Sequence, residues 1–229
     1  MPTAEELHTR GVAANNAGRY APAGRLLARA LAEADDAELT ARIESSIAHL
    51  EAETGDAPAA LQRCESVLGR PGLSAQTRGS VRGQRAMLLM LSGRTGEALD
   101  DFSAAIVELV GAPDLLGRAL LNRGDAHLQL HAVAAAEADF ARAVVELERA
   151  GLPVEVAMAQ HNLGYCRLQS GDLVAALQMM DTAAPVLAPL SAVSAATCDQ
   201  DRAEVLMAAG LVDQGRTALT AAAAAYGSR

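Results

Sequence analysis

A turn signal recurs along this chain. Glycines stand at Gly18, Gly55, Gly93, Gly171 and Gly210, and His131 occupies the place where a sixth would fall, giving steps of 37, 38, 38, 40 and 39 residues. A unit of that length is one supersecondary element, too small to bury its own apolar face, so such a chain folds by stacking copies. The residues around the turn repeat with it. Five positions later come Ala23, Ala60, Ala98, Ala136, Ala176 and Gly215, all minimal; nine later come Leu27, Cys64, Phe102, Phe140, Met180 and Leu219, mostly large; twelve later come Ala30, Val67, Ala105, Ala143, Ala183 and Ala222. Offsets of four and three place these on one face of a helix. Seven positions before the turn lie Gly11, Ala48, Ala86, Gly124, Gly164 and Ala203. A small residue on each of two antiparallel helices lets their backbones approach closely, while the larger residue fills the groove against the next unit. The period therefore predicts six helical hairpins, spanning about 4–36, 37–72, 73–111, 112–151, 152–190 and 191–226, in one all-α solenoid over 1–229.

Composition supports helices and argues against sheets. The 229 residues are 51% hydrophobic but only 2% aromatic, and 52 of them are Ala; strands favour β-branched and aromatic side chains, whereas Ala, Leu, Arg, Glu, Gln and Met are strong helix formers. Proline agrees with the punctuation: Pro22 and Pro58 fall in first turns of second helices, and Pro71, Pro113 and Pro153 precede or open first helices, where a missing N–H is harmless. All 19 basic residues are Arg, and with 28 acidic residues the formal charge is −9. That balance disfavours a surface that tracks phosphates, so no nucleic-acid partner is expected. Three cysteines, Cys64, Cys166 and Cys198, are far apart and form no CxxC pair, which fits a reducing cytoplasm. No apolar run approaches the roughly 20 residues that span a bilayer and no export signal stands at the start, so no membrane association is expected.

The pattern Gly124…Ala136…Phe140…Ala143, and likewise Asn162-Leu163-Gly164…Gly171…Ala176, resembles the tetratricopeptide repeat over nearly the whole chain. That resemblance implies a right-handed α-solenoid whose first helices line an inner face. The usual repeat is 34 residues, so these hairpins are longer by about one helical turn. The chain departs from the family at His131, at Gly215 and in the scarcity of aromatic residues in first helices. Stretches such as Gly83-Gln84-Arg85, Asn122-Arg123-Gly124, His161-Asn162-Leu163-Gly164-Tyr165 and Asp201-Arg202-Ala203-Glu204 are also similar to actinobacterial proteins in which such repeats precede a caspase-like CHAT protease domain. This implies an array that regulates the protease or recruits to it. The protease's own His-Gly-type and Cys-Ser/Thr-Gly-type loops are not in the chain.

Nine positions before each turn stand Thr9, Ser46, Gln84, Asn122, Asn162 and Asp201, polar in all six units of a half-apolar chain. Amide side chains carry both a donor and an acceptor and can pair with an extended peptide backbone. This row resembles the asparagine ladder of peptide-binding tetratricopeptide proteins, a role carried chiefly to Asn122 and Asn162. The alternative is that these groups cap loops or face water. One turn along the same face lie His49, Met87, Asp125, Tyr165 and Glu204, with Met87 and Tyr165 suited to anchor apolar groups. His161 continues the lining. Only Arg42 and Arg118 offer cations near this face, too few for a clamp on a terminal carboxylate.

Catalytic chemistry is not expected. His127 and His131 are four apart but lack the Glu of HExxH, and two ligands without a third make no metal site. Cys166 and His161 lie five apart, about 140° around a helix, a poor nucleophile and base. Cys64 sits at the large core position and should be inert. No phosphate-binding Gly-rich loop and no GxSxG elbow occurs, and no cofactor is expected. The reading is a noncatalytic scaffold for a protein or extended peptide, with a signalling-peptide or small-ligand sensor whose superhelix changes shape as the alternative. The last helix, Arg-Thr-Ala-Leu-Thr-Ala-Ala-Ala-Ala-Ala-Tyr before Gly-Ser-Arg, is apolar on more than one face, which predicts a cover: a downstream or separate protease domain, or a second copy in a homodimer through this end.

Overall fold

A computed structural model describes residues 2–227, with side chains up to residue 224. Tyr226 and the closing Gly-Ser-Arg, on which the expectation of a covered C-terminal end partly rests, have side chains outside the described residues. Among the described residues there are twelve α-helices and no strand. They fall into two compact units that divide between Ala112 and Pro113.

The first unit holds α1 (Ala4–Asn16), α2 (Tyr20–Glu33), α3 (Ala37–Glu53), α4 (Ala57–Leu68), α5 (Ala75–Leu91) and α6 (Thr95–Glu108). The second holds α7 (Pro113–Gln129), α8 (Val133–Arg149), α9 (Pro153–Gln169), α10 (Leu173–Leu187), α11 (Ala192–Ala208) and α12 (Val212–Gly227), with a single 3-10 turn at Ala188–Leu190. In each unit every odd-numbered helix pairs with the next as a hairpin, and each hairpin packs on the one that follows. Capping side chains set many of the starts: Thr3 forms a reciprocal capping box with Glu6, and Asp36, Asp56, Ser74, Asp172 and Ser191 accept from the first turn of their helices.

The turn positions all adopt the left-handed backbone. The glycines there have φ between 68° and 92°, and His131, the substitute, has φ 57°. An L residue tolerates this conformation at a cost of roughly 1–2 kcal/mol, so the break in the glycine series is chemical and the turn itself is retained. The small positions then do what their size allows. Ala23, Ala60, Ala98, Ala136 and Ala176 are fully buried. A Cβ added at Gly124 would collide with the Phe140 ring, and one at Gly11 would lie 2.7 Å from Leu27 Cδ2. Phe102 and Phe140, the chain's only phenylalanines, are fully buried at the large position. Leu219 departs from the expectation. It is 36% exposed, because no further helix lies over α12 among the described residues.

One segment corrects the sequence reading of membrane potential. Leu173–Leu190 is an 18-residue stretch of mean hydropathy 1.4, apolar and long enough by composition to cross a membrane. Here Ala176, Met180, Ala183 and Leu187 are buried against neighbouring helices, whereas Val174, Val186 and Leu190 stay exposed, so packing uses about a fifth of the stretch.

Two hairpins share a buried clasp. Arg85 donates through Nε and Nη2 to Asp101 at 2.6 and 2.7 Å, and Arg123 donates in the same fork to Asp139 at 2.7 and 2.6 Å. Both aspartates are buried. Each arginine lies eight residues before its turn and each aspartate eight after, so the pair ties the two helices of one hairpin together. Removing one partner of such a pair strands a buried charge, whereas replacing both with apolar residues does not. Two outcomes follow from this packing, both read by urea unfolding. Gly124→Ala should destabilise by about 1–3 kcal/mol through overpacking against Phe140, and an unchanged midpoint would contradict the close approach. Arg123→Met should destabilise by about 3 kcal/mol, and Arg123→Met with Asp139→Leu should recover most of that loss.

Candidate functional site

Amphipathic first helices place their second polar row on a face shared within each unit, and there the polar side chains meet across hairpins. In the first unit His8 Nε2 lies 2.9 Å from the Ser46 hydroxyl, which itself donates to the Arg42 carbonyl at 3.1 Å. The serine has one proton and gives it to that carbonyl, so the imidazole N–H is the donor to Ser46. Burial and the nearby Arg42 guanidinium hold His8 below the usual histidine pKa, which keeps the ring neutral. His49 Nδ1 lies 3.5 Å from Gln84 Nε2. Thr9 is exposed and donates to the carbonyl of Glu5 in its own helix. Met87 is half-buried. A cavity of about 160 Å³ lies among α1, α3 and α5, lined by Ser46, His49, Gln84 and Asn15.

The second unit repeats the arrangement with charged partners. Asn162 Nδ2 donates to Asp125 Oδ1 at 2.8 Å, and His161 Nε2 lies 2.8 Å from Asp201 Oδ2. Each bond runs from one first helix to the next, 37 and 40 residues away. Thus Ser46, Gln84, Asn162 and Asp201 each contact the first helix of the preceding hairpin. Asn122 has no hydrogen bond to another described residue, and Asn162 keeps its carbonyl oxygen uncommitted. Tyr165 is half-buried against the cluster of Ala176, Met180 and Val205, while Glu204 is exposed. The two arginines near this face are occupied: Arg42 donates to Glu5 at 2.8 Å and Arg118 to Glu155 at 2.7 Å.

A cavity of about 290 Å³ opens between α7, α9 and α11. Its polar lining includes Asn122, Asp125, His161 and Asn162 from the predicted row. Its apolar wall includes Leu121, Met158, Leu187, Leu190, Val193 and Cys198, the last three from the 3-10 turn and α11. Sequence reasoning did not find that wall. Its α11 positions, Val193 and Cys198, recur as no named row, and the 3-10 turn follows from Pro189 only in hindsight.

The other chemistry-bearing residues stay apart from this cavity. His131 is exposed in its turn, whereas His127 lies 3.7 Å from Asp139 inside a hairpin. Among the described residues no group of three or more His, Cys, Asp or Glu is arranged to hold a metal ion. All three cysteines are buried, and burial pushes the Cys64 and Cys166 thiols up to about 11, far from a reactive thiolate.

Asp125 is the perturbed group of the cavity. Burial pushes its carboxyl up to about 6 from an ordinary 3.8, and the amide of Asn162 opposes the shift only in part. A raised acid pKa means that the folded chain holds the proton more tightly than the unfolded one. Its stabilising contribution is present below pH 4 and lost as pH rises through 6. Asp125→Asn keeps the size and the acceptor for Asn162 and removes the charge. Urea unfolding at pH 4, 6 and 8 should show the variant gaining on the native chain as pH rises, by about 2 kcal/mol once partial solvent access is discounted; a pH-independent difference would contradict the burial of that charge.

No family model matches the chain, nor does the sequence of any curated protein. Solved structures do resemble it. BtubC (BKLC) from P. vanneervenii superposes with a TM-score of 0.71 at 18% identity over 96% of this chain and 91% of that one. A tetratricopeptide repeat protein from Parabacteroides merdae superposes at 0.59 with 20% identity, covering 94% of this chain and 77% of that one. The APC/C hetero-tetramer Cut9–Hcn1 contains a chain that superposes at 0.77 with 16% identity, covering 99% of this chain and 41% of that one. With twelve described helices joined in pairs by six left-handed turns, and with these neighbours, the fold is that of a tetratricopeptide-type α-solenoid.

Proposed function

We propose that the chain is a noncatalytic scaffold that binds a partner protein, or an extended segment of one, on the face formed by its first helices. The observation that carries this reading is the second-unit cavity, where amides and a carboxyl stand beside an apolar wall. Ligand sites combine an apolar lining with a few placed polar groups in this way. Asn122 and Asn162 retain capacity for a peptide backbone, one through both ends of its amide and the other through its carbonyl. Proteins of this fold serve as interaction scaffolds, and Cut9–Hcn1 is itself a multi-chain assembly.

The sequence resemblance names one class of partner, a caspase-like protease that the array regulates or to which it recruits substrates. The three unpaired, buried thiols accord with residence in a reducing cytoplasm.

A displayed library of short unstructured peptides, selected against the purified chain, tests the reading. Enriched peptides should bind the native chain, and the Asn122→Ala, Asn162→Ala double variant, helical by circular dichroism at the binding temperature, should bind them about tenfold more weakly. Equal affinity in the folded variant would contradict it, as would a selection that enriches nothing.

A further inference from the structure

The second-unit cavity has a chemistry of its own: beside the amides of Asn122 and Asn162 and the hydroxyls of Ser194 and Thr197 it holds the Asp125 carboxyl and no arginine. His161 is only 6% exposed, and its Nε2 faces a carboxylate oxygen of Asp201 at 2.8 Å. A carboxylate oxygen accepts, so the proton on Nε2 serves that contact and the second ring nitrogen, Nδ1, is left over. That Nδ1 is buried and has no hydrogen-bond partner. Asp125 offers several acceptor sites and receives one donor among the described residues, Asn162 Nδ2. No arginine lines the cavity, and the chain contains no lysine. An anionic guest would therefore meet Asp125 at close range with no cation to balance it.

A cationic guest meets the opposite situation. An ammonium group brings three donors and a compact charge on a flexible alkyl stem. The Asp125 carboxyl takes the head, and Leu121, Met158, Leu187 and Val193 cover the methylenes, as apolar surface commonly does for such stems. The volume, about 290 Å³, is at the lower edge of what ligand pockets offer, which suits one side chain. From this we propose that the cavity between α7, α9 and α11 receives a protonated primary amine on an apolar stem, as a lysine side chain of the bound partner presents it. The proposal rests on the scaffold reading for its biological setting, but its test does not.

The uniformly 15N-labelled full chain is titrated with the N-acetyl methylamides of lysine, norleucine, arginine and glutamate, followed by two-dimensional NMR. Lysine should shift resonances of α7, α9 and α11, and norleucine, with the same stem and no charge, should bind about tenfold more weakly or worse. Glutamate should leave those resonances unmoved. Arginine binding as well as lysine would overturn the assignment to a compact ammonium in particular. Asp125→Asn should bring lysine down to the norleucine level; the norleucine comparison in the native chain needs no variant and decides the matter if Asp125→Asn fails to fold. Equal responses to lysine and norleucine, a glutamate response at the same residues, or no response to lysine overturns the proposal. If the peptide selection succeeds while lysine fails, the scaffold stands without this occupant, and the reverse result leaves an amine site without a peptide groove.

Discussion

Close approach of two backbones inside each hairpin is the constraint on which the rest depends. In the fourth hairpin the Phe140 ring takes the space at Gly124, and in the fifth a Cβ at Gly164 would lie 3.2 Å from the Ala176 carbonyl oxygen. Interiors packed to crystal-like density tolerate little change of volume there. With only two phenylalanines and no tryptophan, the chain has few large groups with which to fill a wider gap. Small residues at the contact are thus a requirement of this composition, and they fix where each first helix sits relative to the next. That placement in turn brings Asp125 within 2.8 Å of Asn162 and His161 within 2.8 Å of Asp201.

The polar row ties hairpins together and leaves some of its atoms over. Side chains nine residues before the turn bridge consecutive first helices, which satisfies groups that burial would otherwise leave costly. The bridging is incomplete in the second unit. Asn122 has no described partner, Asn162 gives only its amide N–H, Asp125 carries more acceptor capacity than it uses, and His161 Nδ1 is unpaired. The first-unit cavity also holds an unpaired buried acceptor, Asn15 Oδ1, beside the pairs His8–Ser46 and His49–Gln84; what distinguishes the second unit is the apolar wall beside its polar groups.

Much of this was legible in the residue order because the fold is periodic. The turn, the small contact and the large core residue recur at fixed offsets, so even His131, which breaks the glycine series, could be assigned to a turn that proves left-handed. A further small row fourteen residues before the turn, Ala4, Ala41, Gly79, Gly117, Ala157 and Ala196, was equally available and was missed; at Gly117 a Cβ would lie 2.6 Å from Leu147 Cγ. The Arg–Asp clasps were missed for a different reason. They occur in two units only, and a residue eight before a turn meets one eight after it only once the hairpin is built. What spacing could not give was side-chain direction. That Asn162 reaches back to Asp125, or that Ser46 meets His8, depends on rotamers and on the offset between neighbouring helices, neither of which a count along the chain contains.

The central claim is that a partner lies along the first-helix face of the second unit and is held there by the groups that the hairpins leave unpaired. A crystal structure of the chain with a selected peptide tests this most directly. The peptide should lie across α7, α9 and α11 with its backbone hydrogen-bonded to Asn122 and to the Asn162 carbonyl. A peptide seated instead on the second helices α8 and α10, with the amides of Asn122 and Asn162 untouched, would contradict it.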